Sequence, residues 1–517
     1  MKKINWAFVT FIVLVVIAVV FWFRITQFMI FPDKLALPLL FILLLVVAMM
    51  GFFSLRKSKK TNADGKKKKK VATPIINVLL CVLLVISMVF VNNLGKKMKG
   101  IFSKPTSTEE VTMNVYAMSD AYKQTHSGFN TYGDKISDYR YAKFLSQSSV
   151  DQDNVNYAFD QLSEQLGVSL NIEKKDDIWG QLKALYAGEG DAMVLNSIYA
   201  DSIADVPGYE NFNTDTQIIA TITRKVEVEA TPSPTPEASS YTNSSFMVFV
   251  AGSDSRAEGL TQYTRTDVDI LLAVDPVNMQ ILEISMPRDW YVRNPALGNG
   301  YDKLTHLGNH GMQNSIDGLN QEYGFDYIKD YVLVNFVTFK NIVDGLGGIE
   351  VDNPYEFTGM GTNFPAGTIH LNGDEALNYV RERHALNNGD YGRNEHQAIV
   401  IQAIIKKITS PALLSNANSL LDKLQGNFLS SLSPETLYKL MDMQLDKKGT
   451  WKMVSYHLGG VGDYNTTASM GSMQLYVSYP IESQIEFAKE QLTKVMNGEV
   501  ISQESLPDSD RTVYLPN

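Results

Sequence analysis

Past residue 100 the chain carries ten arginines, and seven of them fall between Arg256 and Arg393. Most stand beside an aspartate or end an apolar run: Gly252-Ser253-Asp254-Ser255-Arg256, Arg265-Thr266-Asp267, Met286-Pro287-Arg288-Asp289 and Arg381-Glu382-Arg383. A guanidinium is a planar fork that grips phosphate oxygens in pairs and keeps its charge at any working pH. One such arginine alone is most simply a surface ion pair, but a set of them near strand ends reads as a phosphate-handling site. Asp254 and Asp267 are the carboxylates best suited to a magnesium ion, which takes one or two protein carboxylates and completes its octahedron with phosphate and water. The plainer alternative has Asp254 capping a turn and Asp267 pairing with Arg265. Arg381 and Arg383 are two residues apart and would diverge on a continuing helix, so both reach one phosphate only if the helix ends by about Arg381. Arg393 and Gln397, four apart, share a helix face. Asp390 is a candidate general base and equally an N-cap. His306, His310, His370, His384 and His396 lack metal-ligand spacing and read as structural or rim residues.

These side chains need a rigid scaffold. Apolar runs at Phe246–Ala251, Ile270–Val274, Ile281–Met286, Tyr331–Phe336 and Ile349–Asp352 read as strands. Helical patterns cover Val337–Leu346, Leu371–Tyr379 and Asn394–Ile408. Strands alternating with helices predict a parallel or mixed sheet covered on both faces, with ligands beyond the strand ends. Asp254, Arg256, Arg288 and Asp289 all follow strand ends, where a site is expected.

Upstream, residues 230–245 read Ala-Thr-Pro-Ser-Pro-Thr-Pro-Glu and continue polar, the composition of an extended linker. Residues 106–229 have ordinary globular composition, with strands at Val111–Met118 and Gln217–Val226 and helices at Val155–Leu166 and Ile178–Tyr186. They predict a small α/β accessory domain with no nameable site.

The first 100 residues differ in kind. They hold 16 of the 46 basic residues and 2 of the 56 acidic ones, which leaves 30 basic and 54 acidic for the rest. A net +14 head thus precedes a net −24 body. Apolar runs at about 6–23, 35–55 and 71–91 are each long enough to cross about 30 Å of hydrocarbon as helix. No small-residue cleavage site follows the first, so it reads as a span and not a signal peptide. The loop 56–70 has nine basic residues against Asp64, which by the positive-inside rule places the N-terminus and this loop in the cytoplasm and the body outside. The Lys66–Lys70 run reads as a topology signal with contact to anionic lipid; no folded DNA-binding motif accompanies it. The single cysteine, Cys81, lies in an apolar run, so the body has no thiolate chemistry and no disulfide.

The motifs quoted above, with Lys303-Leu304-Thr305-His306, Gly345-Leu346-Gly347-Gly348-Ile349-Glu350-Val351, Leu371-Asn372-Gly373-Asp374-Glu375 and the run Tyr379–Gln397, resemble the LytR-CpsA-Psr family over roughly 246–490. The three spans and accessory domain resemble its capsule-type members. The resemblance implies an α/β/α sandwich at 246–490, with 491–517 as a tail. It implies a phosphotransferase of a Gram-positive cell membrane that moves a capsular or teichoic-acid-type glycopolymer from an undecaprenyl-pyrophosphate carrier to peptidoglycan. Other wall-assembly proteins would be partners, and nucleic acid would not. Carried onto this chain, Asp254 and Asp267 would hold magnesium (or manganese), and Arg256, Arg265, Arg288, Arg381, Arg383, Arg393 and Gln397 would grip the pyrophosphate. Asp267, Arg288, Arg381, Arg383 and Asp390 would be catalytic. One departure stands out: Asp269 adds an acid where the family commonly has an uncharged residue. Two readings compete with it: a non-enzymatic membrane regulator whose basic loop acts on transcription, and a hydrolase that uses the same residues to release the lipid pyrophosphate to water.

Overall fold

The computed structural model describes residues 5–28, 33–56, 72–101, 108–227, 238–253, 260–382, 385, 390–408, 410, 428–447 and 449–506. Its N-terminal part is three helices, α1 (Trp6–Phe28), α2 (Asp33–Leu55) and α3 (Ala72–Ile101). Each contains a stretch long and apolar enough to cross a membrane: Trp6–Thr26, Leu37–Leu55 and Ala72–Asn93. Asn77, fully buried, ties the three together by donating to the carbonyl of Ala7 at 3.3 Å and to Ser54 Oγ at 3.2 Å. The basic loop lies almost wholly outside the described residues.

The next domain has five strands: β1 (Thr108–Met118), β2 (Lys143–Gln147), β3 (Asn171–Lys175), β4 (Ala192–Asn196) and β5 (Thr216–Glu227), in sheet order β3-β2-β4-β1-β5. The helices Gln152–Leu166 and Ile178–Tyr186 cover it, the first burying Val155, Phe159, Leu162 and Leu166 at helical spacing. On one sheet face the core is complete within this domain. On the other, Ile178, Leu182, Tyr199, Ile203 and Val206 pack with Met470, Met473 and Leu475, which come from far downstream.

The second domain is built on β6 (Phe246–Ser253), β7 (Val268–Asp275) and β8 (Gln280–Met286), followed by the small hairpin β9 (Tyr291–Asn294) and β10 (Gly300–Lys303). Then come β11 (Ile328–Asn335), the short strands β12 (Ile349–Asn353), β13 (Phe357–Gly359), β14 (Thr362–Phe364) and β15 (Gly367–Leu371), then β16 (Phe428–Ser430) and β17 (Lys452–His457), and the hairpin β18 (Gly460–Thr467) and β19 (Gly471–Pro480). The main sheet runs β16-β11-β6-β7-β8-β17, parallel at β11/β6 and β8/β17 and antiparallel at the other joins, so it is mixed. One face (Phe249, Leu271, Ile284, Leu333, Tyr456) buries against helices Met312–Tyr323 and Glu482–Met496. The other meets Tyr241, Leu432 and helix Pro434–Lys447, and Gln402 of helix Asp390–Ile408 donates to Ser455 of β17 at 2.9 Å. This is an α/β/α sandwich.

Two segments pack where the sequence suggests polar connections. Tyr241 is 2% exposed and its hydroxyl donates to Asp330 Oδ2 at 2.6 Å. Ile501 and Leu506 lie beyond residue 490 yet belong to the sandwich core.

Because the β18–β19 hairpin completes the first domain's core, Leu475→Ala should destabilise both domains, by about 2–5 kcal/mol for a buried leucine. Hydrogen exchange on the full chain in detergent should show β1 and β4 losing protection along with the hairpin. Loosening confined to the hairpin would mean that the two cores are separate.

Candidate functional site

Strand direction sets the site. β6, β8, β11 and β17 end, and β7 begins, at one edge of the main sheet. The register pairs Asp269 with Met286. Two residues further along both strands, on the same face, come Asp267 and Arg288, and Arg288 Nη1 donates to Asp267 Oδ1 at 2.6 Å. The alternative pairing of Asp267 with Arg265 does not occur. The backbone is fixed on both sides: Asp267 N–H donates to the carbonyl of Gly252 at 2.6 Å, and Thr305 N–H to that of Arg288 at 2.9 Å.

Asp289 extends the network. Its Oδ2 lies 3.6 Å from Arg288 Nε, and Lys303 Nζ donates to its Oδ1 at 2.9 Å. Burial opposes the Asp289 charge, but Lys303 and Arg288 outweigh it and hold the carboxyl below its usual range. Burial likewise works against the Arg288 charge, and Asp289, Asp267 and Asp205 reverse that and raise its pKa. Arg265, 9% exposed, donates through Nη2 to Asp205 Oδ2 of the first domain at 2.8 Å.

Asp269 explains the departure noted in its turn. It is 1% exposed, with the Thr266 side chain beside its carboxyl. Burial, with the Asp267 and Asp289 charges adding to it, pushes it up to about 8. At neutral pH burial thus favours its protonated form. Among the described residues no three His, Cys, Asp or Glu share a metal geometry. Magnesium needs no such set, since phosphate and water supply most of its ligands. Asp267, part-exposed and with Arg288 on one oxygen, fits that modest demand.

At the same edge Arg381 closes its helix. Helix Gly373–Arg381 starts at a capping box, Asn372 accepting from Glu375 N–H and Glu375 from Asn372 N–H, and ends with Glu382 extended, as the pair of arginines requires. The Arg381 guanidinium lies 4.5 Å from the ring centroid of Phe336, the residue after β11. Buried Glu382 was not singled out in the sequence. It accepts from Met360 N–H at 3.1 Å and from Ala385 N–H at 2.9 Å, tying the end of the Arg381 helix to the β13–β14 turn. His396 stacks on Tyr379 at 4.1 Å and contacts its carbonyl at 3.1 Å through Nδ1, which brings the helix of Arg393 and Gln397 against that of Arg381. Gln397 is 7% exposed. Asp390 is the first residue of its helix, which starts four residues before the expected Asn394. Asp254, Arg256, Arg383 and the Asp390 side chain lie outside the described residues.

Guanidinium and carboxylate groups thus gather at the strand ends of an α/β/α sandwich, the end at which such sheets take their ligands. The chain belongs to the LytR_cpsA_psr family, whose model matches residues 206–478. It is 35% identical over 195 residues to an Enterococcus faecalis protein described as polyisoprenyl-teichoic acid–peptidoglycan teichoic acid transferase TagU, covering 38% of this chain and 64% of that one. A Bacillus mycoides protein of the same description is 33% identical over 201 residues, covering 39% and 64%. The chain thus spans less than two thirds of these relatives' length. The crystal structure of B. subtilis TagV is 25% identical and covers 49% of this chain and 98% of that one, with a TM-score of 0.41.

Glu283 supports the helix of Arg393 from beneath. It is fully buried on β8, accepts from Ser455 Oγ at 2.9 Å, and Ser455 accepts in turn from Gln402. Burial pushes its carboxyl from 4.5 up to about 7. The native state therefore takes up the proton first. The stability tied to the neutral form is complete below about 4.5 and is lost as pH rises to about 7. Glu283→Gln should melt with the parent at pH 4.5 and above it at pH 8, by roughly 3 kcal/mol from linkage. A pH-independent difference in melting temperature would show that the carboxyl ionises freely.

Proposed function

We propose that this chain is a membrane-anchored phosphotransferase that moves a wall glycopolymer from an undecaprenyl-pyrophosphate carrier to a peptidoglycan hydroxyl. The observation that carries the reading is the Arg288 guanidinium held between Asp267 and Asp289 at the strand ends, in a family whose relatives are described as teichoic acid transferases. The body lies outside the membrane, and the polymer is capsular or teichoic in type.

Phosphoryl transfer needs positioning and charge neutralisation more than covalent help from the protein. Arg288 presents donors already aimed, because two carboxylates fix its fork, and Arg381 is fixed by the Phe336 ring. Arg256, Arg265, Arg383, Arg393 and Gln397 complete the grip on the pyrophosphate. Asp254 and Asp267 would hold magnesium, which supplies Lewis-acid stabilisation of the phosphoryl oxygens when bound. The acceptor oxygen forms a bond to the glycan-side phosphorus as the bond to the lipid phosphate breaks. The acceptor proton passes to a carboxylate, Asp390 or Asp267, and the lipid monophosphate leaves. Around this edge the net −24 body repels polyanions, so the polymer is attracted only where the arginines gather.

The test is transfer itself. The full chain in detergent, given a short-chain lipid-pyrophosphate glycan, magnesium and peptidoglycan fragments, should yield a glycan-phosphate-peptidoglycan product by mass spectrometry. Product should vanish with chelator and fall about 100-fold or more in Arg288→Ala, the scale for losing a donor aimed at transition-state charge. Tight lipid binding with no product on any acceptor would leave a sensor in place of a transferase.

A further inference from the structure

Arg265, one of the arginines assigned to the phosphate site, is held by another domain. Its partner, Asp205, caps the C-terminal end of the short helix Ala200–Ala204 in the accessory domain and accepts from Arg265 Nη2 at 2.8 Å. That helix is itself fastened to the sandwich. Ser202 Oγ lies 3.1 Å from His306 Nε2, His306 Nδ1 lies 2.7 Å from Asp302 Oδ1, and Ser469 Oγ donates to the same oxygen at 3.0 Å. Ser202, His306 and Asp302 have the order and spacing of a serine-hydrolase relay, yet all three are at most 1% exposed. No substrate reaches the hydroxyl, so the relay works as a sealed clasp between domains. Ile203 and Val206, on either side of Asp205, sit in the shared core with Met470, Met473 and Leu475. Asp177 accepts from Ser472 N–H at 2.7 Å, a further tie between the same two domains. Ser202, Ile203 and Val206 thus fix the Asp205 backbone against the sandwich, more than a surface ion pair warrants.

We propose that Asp205 is a positioning residue of the phosphate site: it holds the Arg265 fork by one nitrogen so that the remaining N–H groups face the pyrophosphate. This gives the accessory domain a working role, and it rests on the transferase reading only for the identity of the ligand. Arginine loses rotamer freedom on binding, and a partner that removes that freedom beforehand raises affinity.

The experiment is a binding cycle on the full chain in detergent, titrating farnesyl pyrophosphate with magnesium by calorimetry. Asp205→Ala should weaken binding about tenfold, the value of one charge-assisted hydrogen bond. Asp205→Asn, which keeps an acceptor oxygen, should stay within about threefold of the parent. In an Arg265→Ala background Asp205→Ala should add nothing, since the two act as a unit. Thermal melts of each variant separate misfolding from lost positioning, and Asp205→Ser, whose short side chain does not reach the fork, should show the same loss if Asp205→Ala fails to fold. Binding equal to or tighter than the parent's in Asp205→Ala would overturn the proposal, marking the contact as inert or as a brake. So would an equal loss in the Arg265→Ala background. A parent that binds the probe and shows the cycle but transfers no glycan would defeat the transferase reading alone.

Discussion

A buried guanidinium cannot be left unpaired, and the second domain is arranged around that constraint. Arg288 sits largely out of water between Asp267 and Asp289, and Lys303 balances the second carboxylate. Removing any one partner would strand a charge in a poorly solvated place. The register of β7 against β8, the backbone bond from Thr305 to Arg288 and the burial of Trp290 beside them all keep these charges in line. The pairing that neutralises these charges also fixes the direction in which the Arg288 donors point.

Polar groups also settle how far the family pattern extends. Asp269 looks like a break in it, an extra acid two residues from Asp267. Its burial among apolar strands favours the protonated form, which limits the charge it adds there. Glu283 and Ser455 show the same tolerance on the opposite face of the sheet. Both acids are read correctly only when the sheet is known, because the strand alternation decides which face each one meets.

Much of the scaffold was legible because local signals were strong. The continuous apolar runs of β6, β7 and β8 and the capping box at Asn372 each specify their element without help, and the helix Ile178–Tyr186 matches its apolar spacing residue for residue. The helix Met312–Tyr323 was passed over although Met312, Ile316, Leu319 and Tyr323 repeat at helical spacing; buried Asn314, Ser315 and Asn320 break up its apolar face. The hairpin β18–β19 went unread for a related reason, since its buried side faces another domain. In the site, spacing identified the arginines, but their partners depend on pairs far apart in sequence. Arg265 finds Asp205 sixty residues upstream, and Arg381 lies over Phe336. No local pattern encodes such contacts.

The borrowed hairpin also bears on how this architecture can change over generations. A domain whose core closes on itself can be duplicated, lost or exchanged with little consequence for its neighbour. Here Met470, Met473 and Leu475 fill a space bounded by Ile178, Leu182 and Ile203, nearly three hundred residues earlier. Loss of residues 108–227 would expose those methionines to water, and a foreign accessory domain would meet a hairpin shaped for another surface. The two regions should therefore be inherited together and should drift in concert, with volume changes at 470–475 matched by compensating changes at 178–206.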